Sequence, residues 1–265
     1  MIEKREKVRE ALNKRWWDTQ LRIYHRKINR IKHYGTKALM ERYAQLIQEL
    51  FKPFHERLNE LLSIAEETFN ADVKEVDIIS YILGNLGKVT FSSVVLKEVY
   101  GIIEQTFNRG ARRVFTRTGQ KIQVGEVKNK APLEALMRQQ INYLKDMEED
   151  IRERVKDILV VDLKEGKPLT KIKKDITETT QKITRHRAET IARSEIIKAS
   201  TEGTKQSMKE AGIEKYLWLT ARDNRVCEIC REKERGNPYK FDSPDAPMPV
   251  KDSHPNCRCT IIADI

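Results

Sequence analysis

The sequence predicts a mainly α fold with a small α+β module at its C-terminus, in which a short antiparallel sheet frames a group of cysteines. Three observations predict it. Apolar residues recur every three or four positions over most of residues 3–211, the period of a helix face. Period-two alternation is confined to two short stretches near the C-terminus. All four cysteines lie in the last 39 residues.

Residues 3–33 read as a basic amphipathic helix, with Trp17, Leu21, Tyr24, Ile28 and Ile31 on one face and Arg22, Arg26, Lys27 and Arg30 elsewhere. The Trp16–Trp17 pair suits packing on the chain's own second helix or anchoring of a neighbouring subunit. Residues 37–69 repeat the pattern through Leu39, Tyr43, Leu46, Leu50, Phe54, Leu58, Leu61, Ala65 and Phe69. Pro53 predicts a kink or break near Lys52. A short helix is expected within 70–86, and another over 89–108, closed by Gly110.

Residues 111–130 mix β-formers with Arg112, Arg113 and Arg117 and predict a basic hairpin or loop. A long helix opens at Pro132 with the stripe Leu133, Met137, Ile141, Leu144, Met147, Ile151, Val155 and Ile158. Gly166 and Pro168 mark a turn. A shorter helix then runs to about Ile183, and a separate one over 187–211 carries the small-residue face Ala188, Ile191, Ala192, Ile196 and Ala199. Gly212 fits the position just past that helix. Tyr216–Thr220 and Cys259–Ala263 alternate as two strands, expected to pair antiparallel and to set the cysteine groups side by side.

Composition excludes several classes. Hydrophobic residues make up 39% and charged residues 34%, and mean hydropathy is −0.65. Eleven Gly and eight Pro are scattered, which rules out a collagenous or low-complexity chain. No stretch approaches the roughly 20 apolar residues of a membrane span. The charged N-terminus lacks a secretory core, so a reducing cytoplasm is the expected setting. The net charge of +11 is uneven. Residues 1–42 carry 13 basic against 5 acidic residues, and residues 106–130 carry 7 against 1. Such segments suit phosphate backbones, a solvated helix face or an acidic protein partner.

Crowded cysteines in such a compartment favour metal over disulfides. Cys227 and Cys230 are a two-residue-spaced pair, and His254, Cys257 and Cys259 follow 24 residues later. Zinc takes four such ligands, so five candidates leave one spare. A four-cysteine site and a three-cysteine, one-histidine site are both compatible with the spacing. Cys257 and Cys259 share a face if their segment is a regular strand. The competing readings are two redox pairs and a hydrolytic zinc. The first lacks a βαβ context. The second needs an open coordination position and a general base, for which Glu228 and Asp223 are the neighbouring acids. A closed structural zinc is the preferred reading, and it makes the module at about 214–265 a zinc knuckle. No Walker A motif, dinucleotide fingerprint or nucleophile elbow occurs.

Three motifs stand in order: Arg187-Ala-Glu-Thr-Ile-Ala-Arg193-Ser-Glu195, then Trp218 followed by Asp223-Asn-Arg-Val-Cys-Glu-Ile-Cys230, then His254-Pro-Asn-Cys-Arg-Cys259. Together they resemble the phage head morphogenesis, or Mu F-like minor head protein, family from about Leu133 to the C-terminus. The resemblance divides the chain into a helical region, 1–130, and a minor-head-protein-like domain, 131–265. It implies a non-enzymatic minor structural protein of a tailed-phage or prophage head. Such a protein is associated with portal and capsid proteins, acts in head assembly or DNA packaging and delivery, and resides in the virion after assembly in the host cytoplasm. Non-specific double-stranded DNA is an expected partner; a membrane and a small-molecule substrate are not. The alternative is a metal-dependent nuclease or hydrolase acting on nucleic acid. Ser194 stands where many members carry Thr, some members lack the Cys pair, and no appended toxin domain is expected after Cys259. Arg193 and Glu195, two apart on a helix, cannot face each other and are expected to dock the zinc module onto that helix.

Overall fold

The computed structural model describes residues 36–69, 74–116, 119–221 and 223–265. The basic helix expected over 3–33, with Trp16, Trp17, Arg22, Arg26, Lys27 and Arg30, lies outside the described residues, as does Arg117. The described chain is mainly helical. Helix α1 covers 36–68. It is followed by α2 (Glu75–Asn85), α3 (Ser93–Ala111), α4 (Ala131–Lys164) and α5 (Leu169–Glu210). The C-terminal part adds β1 (Lys215–Leu219), α6 (Glu228–Arg235), β2 (Tyr239–Lys240) and β3 (Thr260–Ala263). Among the described residues no helix is long and apolar enough to cross a membrane.

Two compact units share the chain. One joins residues 40–102 with 135–192; the other joins 103–134 with 193–265, and the division falls inside α3, α4 and α5. The first unit is a helical bundle. Its α1 stripe is buried as the period predicts, from Tyr43 through Leu50, Phe54 and Leu58 to Ala65. Of the expected kink or break, the break does not occur: the helix continues through Pro53. Pro53 is exposed while Phe51 and Phe54 on either side are buried, so burial of the flanking rings offsets the lost backbone hydrogen bond. On α4 the fully buried line is Leu136, Gln140, Leu144, Met147, Ile151, Val155 and Leu159; Met137, Ile141 and Ile158 are only half-buried. Gln140 is buried because it accepts the Tyr43 hydroxyl and donates to the Leu136 carbonyl.

The helix expected to end near Ile183 does not end. α5 is one helix of 42 residues, and no Gly or Pro stands between 169 and 202 to stop it. It ends at a Schellman turn: Gly212 has φ +74°, Gly212 N–H donates to Lys209 O, and Ile213 N–H donates to Met208 O.

The second unit rests on a close helix crossing. Gly110 is inside α3, not beyond its end, because its role is contact and not termination. A Cβ there would lie 2.0 Å from the Ser200 carbonyl oxygen; one on Gly203 would lie 2.1 Å from that of Phe107. Thr204 Oγ1 crosses the seam to Gly110 O at 3.0 Å. The sheet has the order β2-β1-β3, all antiparallel, with Leu217 opposite Ile262 and Trp218 opposite Ile261. Tyr216, Ile261 and Ala263 pack on Met208, Val114 and Met248, while Leu217, Leu219 and Ile262 form the other face with Phe115. Within the segment expected as a basic hairpin or loop, residues 114–116 and 119–122 pair antiparallel. Thr116 N–H donates to Gln120 O, Ile122 N–H to Val114 O, and the first arm bridges β3 through Ala263 N–H to Phe115 O at 2.8 Å. Asn237 fills the free edge of β1, its side chain bonding Trp218 N–H at 2.6 Å and Trp218 O at 2.8 Å.

Candidate metal centre

Three pieces of chain converge beneath Trp218. The first is the start of α6. Cys227 is its N-cap in extended conformation, and its Sγ accepts the Cys230 N–H at 3.5 Å. The Cys pair therefore opens a helix. Turns within 248–257 provide the second. Met248 N–H is held by Asp252, Val250 N–H by Ser253, and Val250 and Asn256 both take positive φ. The third is the approach to β3. Cys257 and Cys259 precede that strand, so a shared strand face does not align them. The left-handed turn at Asn256 and the Cys257 N–H to His254 O bond do so instead.

The five donors form two triads that share Cys230: Cys227, Cys230 and His254, and Cys230, Cys257 and Cys259, with all donor atoms in each triad within 4.8 Å. None of the four cysteines is in a disulfide. Cys230 Sγ lies 3.8 Å from Cys257 Sγ and 3.4 Å from His254 Nε2. A tetrahedral zinc with sulfur at about 2.3 Å and nitrogen at about 2.0 Å separates two sulfurs by about 3.8 Å and sulfur from nitrogen by about 3.5 Å. These donors therefore fit zinc. Cys230, Cys257 and Cys259 are buried, and Trp218, wholly buried, packs on all three. Among the described residues its indole N–H has no hydrogen-bond partner.

Electrostatics follow from this crowding. A hydrogen bond from Cys259 holds the Cys257 thiol well below its usual range, and the same contact, with burial, pushes Cys259 up. Burial first, then the charge of Cys257, raises Cys230. Arg258 stands between Cys257 and Cys259 and grips Asp223 with both terminal nitrogens, Nη2 to Oδ1 at 2.7 Å. Glu228 pairs with Arg231 and Arg235. Both acids named as candidate bases are thus held by arginines.

Around the centre, the expected docking by Arg193 and Glu195 takes a different form. Arg193 is exposed and Glu195 is buried with Lys198 at 3.8 Å. The contact to the metal loop comes from the residue between them: Ser194 Oγ accepts the Asn256 N–H at 3.0 Å. Arg187 lies in the other unit, paired with Asp150 at 2.5 Å. Arg112 is exposed, whereas Arg113 is half-buried, and burial and the Arg109 charge lower its pKa. Sequence reasoning gave no role to Arg258 or Asn237. A charged residue set between two cysteines was the one available signal for Arg258.

Residues 153–262 match the family described as Phage Mu protein F like protein, a span that includes all five donors. An uncharacterized protein of Haemophilus influenzae is 37% identical over 93 residues, covering 34% of this chain and 19% of that protein. The chain thus spans about a fifth of that relative's length. No solved structure matches. The motifs, the convergence of their cysteines and this match agree in making the segment 153–262 similar to the Phage Mu protein F like family.

Proposed function

We propose that this chain is a minor structural protein of a tailed-phage or prophage head, placed at the portal or inner capsid and acting in head assembly or DNA delivery. The observation that carries the reading is the family match over 153–262. A structural zinc on the Cys227–Cys259 cluster holds the C-terminal module together. A thiolate-rich shell makes the metal a weak Lewis acid, and Asp223 and Glu228 are tied to arginines, which together favour structure over hydrolysis. Arg112 and Arg113, with the basic 1–42 segment, contact DNA phosphates without sequence preference. Mass spectrometry of purified heads from a prophage carrying this gene tests the reading. The chain is expected in particles at low copy, and its absence from them overturns the proposal. DNA affinity that is flat in salt, or unchanged by Arg112→Ala with Arg113→Ala, removes the DNA part. Metal-dependent nuclease turnover by the pure protein, lost in Cys227→Ser, replaces the structural reading with an enzymatic one.

A further inference from the structure

We propose that Arg109, in the last turn of α3, and Arg113, just past its end, form a seat for a single phosphate group of the DNA backbone. The inference rests on the DNA reading above and deepens it, because it names the two residues that grip one particular phosphate. Arg109 carries the argument. Its Nη1 is buried and has no hydrogen-bond partner among the described residues. Arg113 is half-buried one turn further on. Burial first, and the Arg109 charge second, lower its pKa, so the two guanidinium groups feel each other. Among the described residues neither is in an ion pair. A guanidinium taken out of water without a partner is costly, and a second positive charge beside it adds to the cost. An oxyanion bound between them relieves both.

The platform under the pair is fixed. Gly110 passes so close to α5 that an added Cβ would lie 2.0 Å from the Ser200 carbonyl oxygen, and Thr204 Oγ1 bonds Gly110 O at 3.0 Å. The carbonyls of this helix end do not serve the guanidinium groups: Asn108 O accepts the Arg112 N–H and Gly110 O the Arg113 N–H. Arginine suits the proposed ligand, since its planar N–H fork matches phosphate oxygens. The surroundings favour a chain of anions over a lone carboxylate. Residues 106–130 carry 7 basic residues against 1 acidic, and Arg112, Lys121, Lys128 and Lys130 are all exposed. A merely solvated basic face would leave Arg109 Nη1 in water, and that atom is buried.

The test uses the full chain with duplex DNA and inorganic phosphate as probes. Arg109→Gln and Arg113→Gln are each expected to weaken DNA binding about tenfold and to lower the salt slope by about one. The double variant should fall little further, because both residues grip the same phosphate. Inorganic phosphate at about ten times its Kd, exchanged for chloride at fixed ionic strength, should raise the native Tm by about 2–4 °C and leave the variants unmoved. Without phosphate, Arg109→Gln should melt no lower than the native chain, since an unpaired buried charge is gone. A melt well below native overturns the seat, as do additive losses in the double variant. Unchanged DNA affinity in variants that circular dichroism shows folded overturns the DNA assignment. A polyglutamate peptide that protects as well as phosphate overturns it too, in favour of an acidic protein partner. A native chain that binds no DNA is a different failure, since it removes the DNA reading itself; phosphate protection then decides whether the seat exists.

Discussion

Asp223 and Arg258, 35 residues apart, form a two-pronged ion pair that fastens the loop before Cys227 to the loop bearing Cys257 and Cys259. The pair needs no metal, so it is expected to hold both halves of the centre together without one. Asp223→Asn or Arg258→Lys is expected to weaken zinc binding about tenfold, the low end for a supporting contact. Stability of the metal-free protein should fall by only about 1 kcal/mol, since the carboxylate is partly exposed and screened. Competition with a zinc-binding dye reads the first effect and a chemical melt the second. Unchanged affinity removes the preorganising role.

Acidification should separate the clasp from the metal. Arg258 hydrogen bonding is the main cause that holds Asp223 well below the ordinary carboxylate range. A depressed folded-state pKa means that its contribution is complete above about pH 4 and disappears as the pH falls further. Zinc leaves by protonation of imidazole and thiolates, which begins at higher pH. A pH titration that follows metal release and the Asp223 carboxyl carbon resonance together should show zinc leaving first. Simultaneous transitions would show the clasp and the metal to be one unit.

Chelation should have a confined effect. The core of Tyr216, Met208, Val114, Ile261 and Ala263 contains no donor residue, and the Schellman end of α5 is local. Hydrogen exchange after zinc removal is expected to rise over 226–237 and 248–259, while β1 and residues 193–210 of α5 stay protected. Loss of protection across β1 as well would mean that the whole unit folds on the metal.

Two glycines of α3 should respond oppositely to one substitution. Gly101 is exposed, with nothing within 4 Å of an added Cβ, so Gly101→Ala should stabilise by about 1 kcal/mol through helix propensity. Gly110→Ala sets a methyl against the Ser200 backbone and should destabilise by about 2–3 kcal/mol. Thermal melts of the two variants decide it; a neutral Gly110→Ala would show that the crossing can open at little cost.

Ser194→Ala removes the acceptor of Asn256 N–H and should cost about 1 kcal/mol, more if that N–H stays dry. Ser194→Thr keeps the hydroxyl and should behave as native. Equal loss in both variants would assign the effect to packing and not to the bond.

The centre was more legible than the helices. Cysteine spacing needs no tertiary knowledge, and it named all five residues that the fold brings together. The two strands pair antiparallel as expected, yet Tyr216 through Leu219 and Ile261 through Ala263 are all buried, so both faces are covered and neither strand is the half-exposed kind that alternation signals. Helix ends were misread where a residue's local meaning was overridden. Gly110 signals an end by propensity, yet stays helical because a second backbone passes at its Cα. Pro53 signals a break, yet neighbouring aromatic rings hold the helix together. The segment 183–187 changes its pattern of apolar residues without any residue that stops a helix. Which side chain reaches the Asn256 loop was also hidden, since Arg193 and Glu195 attract attention by charge and the short hydroxyl between them does not.

Asn237 gives the sheet a property beyond its own hydrogen bonds. β2 pairs only with Lys215 and Tyr216, which would leave Trp218 offering its N–H and carbonyl to any passing strand. The Asn237 amide takes both, as a peptide group of a neighbouring strand would. A stretch as apolar as Tyr-Leu-Trp-Leu is a template for open-ended stacking between chains once its edge is bare. A plugged edge keeps this strand from seeding disordered fibres at high local concentration and reserves its encounters for surfaces that terminate.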